Sequence, residues 1–279
     1  KSHLLNEDQR VVYESVIEAV RDPDNNHRCF FLDDAGGTGK SFVLEQILAR
    51  VRLYGRIAIP VASSGIAALL LTGSNVADLY HETSLIIWDE AAMAHRYALE
   101  AVDRSLRDIA GVDRPFGGIV MLLSGDFRQI LPVVPRGSDG DVINACLKRS
   151  NLWRELKTLR LTINMRVRIS SRASDAAGIE AFSTFLLKIG EGKHDPVSRL
   201  GLSYFQVSEE YVSPGDTSLL QALIQHVYSE VSDRYLNENY FVERAILTPI
   251  TADVNVINDS VLHKLPSASS HSIDAVEEE

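Results

Sequence analysis

Apolar side chains recur at helical spacing soon after the chain starts. Val12, Val16 and Ile17 share one face of a segment that Asn6 is suited to cap, predicting a helix to about Val20. A polar, turn-rich stretch containing Pro23 follows (RDPDNNHR, residues 21–28), and then the period changes. Cys29, Phe30, Phe31 and Leu32 form a continuous apolar run, the pattern of a strand covered on both faces. Leu44, Ile47, Leu48 and Val51 mark a helix beginning near Ser41. Residues 56–62 (RIAIPVA), 85–88 (LIIW), 119–123 and 159–163 read as further strands, and Leu99, Val102, Leu106 and Ile109 as one face of another helix. Strands alternating with helices at this rhythm predict an α/β fold: a parallel sheet with helices on both faces.

After Arg168 the pattern loosens. Residues 169–177 are rich in Ser, Arg and Ala and read as a linker or domain edge. Ile179, Phe182, Phe185, Leu186 and Ile189 form a helical stripe, residues 217–232 a second helix, Ala245–Thr248 a short strand, and Thr251 caps a last helix. The polar, acidic tail is expected to fray.

Length adds a count: 279 residues at about 150 per domain predict two domains or one large one. The longest apolar stretch, Ile66 to Leu71, is far short of the roughly 20 residues of a membrane span, and no membrane role is expected. The residues from Lys1 onward hold no basic, apolar-cored leader, so secretion is not indicated. Two cysteines, Cys29 and Cys146, exclude a disulfide framework and a cysteine-based zinc site. The net charge of −10 looks wrong for a nucleic-acid binder until the chain is divided. Residues 1–170 carry 21 basic and 21 acidic side chains; residues 171–279 carry 7 and 17. The neutral part can still build a local basic groove, so composition neither supports nor excludes DNA.

The strongest chemical signal is AGGTGKS, Ala35 to Ser41, between a predicted strand and a predicted helix. Backbone N–H groups of Gly36, Gly37, Thr38 and Gly39 and the helix start face phosphates in such a P-loop. Lys40 reaches the β- and γ-phosphates, and Ser41 holds Mg²⁺. The pattern wants glycine at position 34, where this chain has Asp34; a carboxylate there either points away or lowers nucleotide affinity. Asp89 and Glu90 end the next apolar run, where parallel sheets bind ligands; Asp89 is the candidate Mg²⁺ ligand and Glu90 the candidate for activating water. Gln129, in GDFRQ, is placed to report the γ-phosphate, and Arg166, in NMR, to stabilise transferring phosphate charge. Lys40, Asp89 and Gln129 are expected to converge at the C-terminal ends of the strands.

LNEDQ, AGGTGKS, ASSGIAALLLTG, SLIIWDEAAMAHR, LLSGDFRQILPVVP, LTINMR, FLLKIGEG and AILTPITADVNVIN occur in this order. Together they closely resemble the petite-integration-frequency (PIF) helicases, with wording nearest the relatives carried by Helitron transposons. The resemblance implies a P-loop NTPase with a RecA-like lobe over 4–168. It implies a linker and incomplete second RecA-like lobe over 169–265, with a tail over 266–279. The implied activity is ATP-dependent, 5′ to 3′ DNA unwinding in repair, recombination or telomere maintenance, in the nucleus or alternatively the mitochondrion. ATP and Mg²⁺ are the implied cofactors; single-stranded DNA and duplex junctions are the implied partners of a monomer. Gln9 resembles the family's adenine-reading glutamine, and Ala35 to Ser41 its phosphate loop. Asp89 and Glu90 match its Mg²⁺ and water residues, Gln129 its γ-phosphate sensor, and Arg166 its γ-phosphate arginine. Ser63, Ser64 and Gly65 match the segment touching DNA, and Ala98–Ile109 occupies the family's short signature.

Two departures qualify the resemblance. Gly73 passes almost at once to the strand before Asp89, where relatives carry a DNA-facing loop, and Val254–Glu279 lacks the family's late Thr/His and arginine motifs. The expectation is a segment of a longer motor that binds Mg·ATP weakly and turns it over slowly. The alternative is a decayed, transposon-derived nucleotide- or DNA-binding remnant without motor activity. A small-molecule kinase has no use for GDFRQ, NMR and ASSGIAALLL.

Overall fold

The structure, a computed structural model, describes residues 4–62, 76–165, 173–194, 196–197, 201–205, 207, 219–242, 244–248 and 250–266. The chain divides into two compact units, Lys1–His194 and Asp195–Glu279.

The first unit opens with α1 (Glu7–Arg21), which Asn6 caps as its sequence predicts. The Asn6 side chain accepts from Gln9 N, and the Gln9 side chain accepts from Asn6 N. Next come β1 (Cys29–Asp34), α2 (Lys40–Leu53), β2 (Ile57–Ala62), α3 (Val76–Glu82) and β3 (Thr83–Asp89). Then follow α4 (Arg96–Ala110), β4 (Val120–Gly125), α5 (Asp139–Ala145), β5 (Lys157–Leu161) and α6 (Ala173–Gly190). The five strands form one parallel sheet in the order β2-β3-β4-β1-β5.

Successive strand residues point to opposite faces, and here both faces are covered. Phe30, Leu32, Leu85, Ile87, Val120 and Leu122 pack under Val12, Val16, Val43 and Ile47 of α1 and α2. Their sequence neighbours Phe31, Ile86, Met121 and Leu123 pack with Leu99 and Leu106 of α4 and with Leu147 and Leu152. The result is a three-layer α/β/α sandwich whose strands all end on one edge.

Below α4 a tight turn completes the second layer. Buried Asp103 accepts from Phe116 N at 2.6 Å and from Arg107 Nε at 2.9 Å, tying the turn Pro115–Gly118 to the helix. Phe116 fills the core there with its backbone in the left-handed region (φ 54°).

The second unit, by itself, contains an antiparallel pair, β6 (Pro196–Val197) with β7 (Gly201–Phe205). It also contains α7 (Leu219–Val227), α8 (Val231–Arg234), α9 (Glu238–Val242) and α10 (Thr251–Leu262). Ile224 and Ile257 are buried, and Lys264 Nζ donates to Gln225 Oε1 at 2.8 Å. Tyr240 is buried with Arg244 and Arg234 over its ring. The strand expected at 245–248 does not form: these residues are irregular, and Leu247 is 92% exposed. An apolar run without a neighbouring strand has no ladder to join. Thr251 is the first helical residue rather than the cap, which falls on Ile250. Among the described residues no helix is long and apolar enough to cross a membrane.

Gly117 has φ +62°, and a Cβ there would lie 2.8 Å from Ala110 Cβ and inside contact distance of the Leu106 carbonyl. Gly117→Ala should therefore cost about 2–4 kcal/mol of unfolding free energy, read by denaturant titration. An unchanged midpoint would contradict this account of the turn.

Candidate functional site

Apart from Gln9, which lies in α1, every predicted chemical residue that is described lies at or just past the C-terminal end of a strand. The loop 35–39 leaves β1 and enters α2, whose N-cap is Gly39 in the left-handed conformation (φ 81°) with no side-chain cap and no acidic residue in the first turn. Among the described residues the opening N–H groups of α2 therefore lack a side-chain acceptor at the cap, the arrangement that favours an anion. Gly37 (φ 92°) also requires glycine. The first turn carries Lys40 and exposed Ser41.

Lys40 reaches across to the end of β3. Its Nζ lies 2.6 Å from Glu90 Oε1, 2.9 Å from Asp89 Oδ1 and 3.7 Å from Asp34 Oδ1. Burial works against the ammonium, but the Glu90 hydrogen bond, Asp34 and Asp89 outweigh it and raise the Lys40 pKa. Asp89 Oδ1 also accepts from Ser124 Oγ at 2.7 Å and from Glu90 N at 2.9 Å. These contacts lock β3 to β4 at the edge. Glu90 sits at φ 53°, a left-handed backbone unusual for a residue with a side chain, as the cap of the short helix Ala91–Met93. Gly125 lets that helix approach: a Cβ on it would be 2.9 Å from Ala92 Cβ.

Asp34 does not point into solvent. It ends β1 and is 5% exposed, and its Oδ1 has no hydrogen-bond partner among the described residues. Burial raises its pKa to about 6, against the pull of Lys40 and with help from Asp126, Glu90 and Asp89. Thr38 Oγ1 is a second buried oxygen at the loop without a partner among the described residues.

The loop is also held from outside. Gln9, 1% exposed, donates through Nε2 to Thr38 O at 3.0 Å, and Met165 N donates to Gly37 O at 2.9 Å. Asp8 accepts from Thr162 N and Oγ1, binding α1 to the end of β5. Sequence reasoning missed these ties; the Asn6-x-x-Gln9 capping pattern was their one visible trace. It also missed Ser124 and the ion-pair set in which Arg128 meets Asp126 (2.6 Å), Asp33 (3.5 Å) and Glu191 (3.7 Å).

Lys40, Asp89 and Glu90 are thus brought together, and Gln9 abuts the loop. Gln129 lies past β4 on the same edge, exposed, with its N–H bonded to Asp126 O. Ser63, Ser64, Gly65 and Arg166 lie outside the described residues. Ala98–Ile109 falls within α4. Among the described residues no group of three or more His, Cys, Asp or Glu surrounds a common metal position.

The PIF1-like helicase family model matches residues 4–77 and 72–199. The ATP-dependent DNA helicase RRM3 of Saccharomyces cerevisiae is 32% identical over 162 residues, 47% of this chain and 22% of that protein. The human ATP-dependent DNA helicase PIF1 is 25% identical over 222 residues, 67% of this chain and 33% of that protein. The chain thus spans about a fifth to a third of the length of these relatives. The Pif1 helicase from Bacteroides in complex with ADP-AlF3 and ssDNA matches with a TM-score of 0.61 at 19% identity, over 93% of this chain and 57% of that one. Pif1 from Candida albicans matches with 0.52 at 24%, over 68% and 44%. These likenesses show the RecA-like P-loop fold. With its family matched over most of its length, this chain belongs to the PIF1-like helicases.

Proposed function

We propose that this chain supplies the ATP-binding and ATP-hydrolysing part of a DNA helicase that moves 5′ to 3′ along single-stranded DNA. The observation that carries the reading is Lys40 poised between Asp89 and Glu90 beside the uncapped start of α2. Lys40 binds the β- and γ-phosphates, Glu90 orients the attacking water and takes its proton, and Gln129 and Arg166 respond to the γ-phosphate. Gln9 contacts the adenine in the role its resemblance implies. Ser63, Ser64 and Gly65 touch the DNA strand. The Bacteroides relative carries ADP-AlF3 and ssDNA, which supports nucleotide and strand as the two ligands.

The residues present fit a divalent cation. Among the described residues three carboxylates, Asp34, Asp89 and Glu90, face the Lys40 ammonium, so a triphosphate entering there meets negative charge that an accompanying cation offsets. Ser41 and Asp89 would hold Mg²⁺, which prefers one or two protein oxygens together with phosphates and water. When bound, Mg²⁺ neutralises charge on the phosphate oxygens.

The second reading, a nucleotide-binding remnant without motor activity, is favoured by one feature, the buried carboxylate of Asp34 beside the loop. ATP hydrolysis measured with and without single-stranded DNA separates the two. Stimulation by DNA supports the motor, whereas binding without turnover supports the remnant.

Lys40→Ala should abolish nucleotide binding, measured by calorimetry. Glu90→Gln should keep binding and slow hydrolysis by about 10²-fold or more. Equal loss of binding in both would refute these roles. Asp34→Gly should tighten Mg·ATP binding by about 1 kcal/mol or more, because it removes a carboxylate that repels phosphate and competes for the Lys40 ammonium, 3.7 Å away. An unchanged affinity would mean that Asp34 does not compete.

Asp34 also sets a pH dependence. Its folded pKa of about 6 lies above the ordinary 3.8, so folding disfavours its ionised form. Wild-type stability should fall as pH rises from about 4 through 6, while Asp34→Asn lacks this loss. The variant should gain about 3 kcal/mol over wild type at pH 7 and nothing below about pH 4. A pH-independent gap in urea unfolding would contradict the assignment.

A further inference from the structure

We infer that Gln9 sets nucleotide affinity by positioning the phosphate loop through its backbone, independently of the base. The inference rests on the P-loop reading proposed above and adds a role beyond adenine contact.

The two ends of the Gln9 amide are both engaged. Oε1 accepts from Asn6 N at 3.1 Å, and Nε2 donates to Thr38 O at 3.0 Å. Gln9 is 1% exposed, and its own N–H donates to Asn6 Oδ1 at 2.9 Å, so the side chain is fixed at its root and at its tip. Asn6 Nδ2 in turn reaches Met165 Sδ at 3.3 Å, and Met165 N donates to Gly37 O at 2.9 Å. Two consecutive loop carbonyls are therefore held by one connected set of residues from the start of α1 and the segment after β5.

Peptide planarity gives this grip its consequence. In a trans peptide the N–H points opposite to the carbonyl, and no cis bond occurs here. Holding Thr38 O on the Gln9 side aims Gly39 N–H the other way, at the uncapped start of α2. Donors fixed before the ligand arrives need no ordering when it binds. The fit is close: a Cβ on Gly39 would lie 2.6 Å from Gln9 Nε2 and would push the amide off Thr38 O, while the φ of +81° independently calls for glycine. A glutamine whose amide is committed to the loop acts on whatever phosphate enters it.

The test compares wild type, Gln9→Ala and Gln9→Met in the whole chain. Each is titrated calorimetrically with Mg·ATP, Mg·GTP and Mg·tripolyphosphate. Gln9→Met fills nearly the same volume and buries no charge, but loses the donor to Thr38 O. Circular dichroism at the titration temperature shows that each variant is folded, which separates loop positioning from folding. The expected result is a loss of about tenfold or more for all three ligands in both variants, with any further loss for ATP reporting the adenine contact. Overturning results are a loss confined to ATP, with tripolyphosphate unchanged, or full affinity in Gln9→Met. If wild type binds none of the three, the P-loop reading fails and this inference with it. If wild type binds all three but the losses follow the base, only this inference fails.

Discussion

One ammonium holds the site together. Lys40 is the cation common to Asp34, Asp89 and Glu90, and through them it links the ends of β1 and β3 to the start of α2. At an effective dielectric near 20, each contact at about 4 Å is worth roughly 4 kcal/mol before desolvation. Desolvation removes much of that, and breaking such a part-buried pair without a substitute costs about 3–5 kcal/mol. A ligand that takes Lys40 must therefore replace the carboxylates with something at least as negative and bring positive charge for the carboxylates left behind. A triphosphate with a divalent cation meets both demands; a neutral metabolite meets neither.

The fold makes this meeting unavoidable. Alternation along β1, β3 and β4 commits their side chains to two helical layers, which forces the sheet to be central and its strands to end together. The order β2-β3-β4-β1-β5 then sets β4 between β1 and β3, so Ser124 at its end can donate to Asp89. Glu90 reaches Lys40 only because its backbone turns left-handed directly after the strand, a conformation costing about 1–3 kcal/mol that persists where surrounding contacts impose it. Gly125 makes room for the resulting turn.

Most of this was legible in the chain. The apolar runs located β1 to β4 to within two residues, because a strand buried on both faces shows an unbroken signal. For β5 the pattern runs two residues late, 159–163 against Lys157–Leu161. This strand lies at the sheet edge, where Lys157 and Arg160 are exposed and only Leu159 and Leu161 are buried, so the run Leu159–Ile163 misplaced it. Asp34 was visible as a departure, but only its burial shows that it faces Lys40. The role of Gln9 at Thr38 was illegible for a different reason: a bond across 29 residues leaves no local period. Arg128 was hidden likewise, since Asp33, Asp126 and Glu191 meet only after the sheet has formed.

The central claim is that Lys40 exchanges its carboxylate partners for phosphate when nucleotide binds. The most direct measurement is a crystal structure of this chain with Mg²⁺ and a non-hydrolysable ATP analogue. The account predicts Lys40 Nζ within hydrogen-bond distance of the β- and γ-phosphate oxygens, with Glu90 released and facing the γ-phosphorus. A nucleotide bound elsewhere, with Lys40 still paired to Asp89 and Glu90, would contradict it.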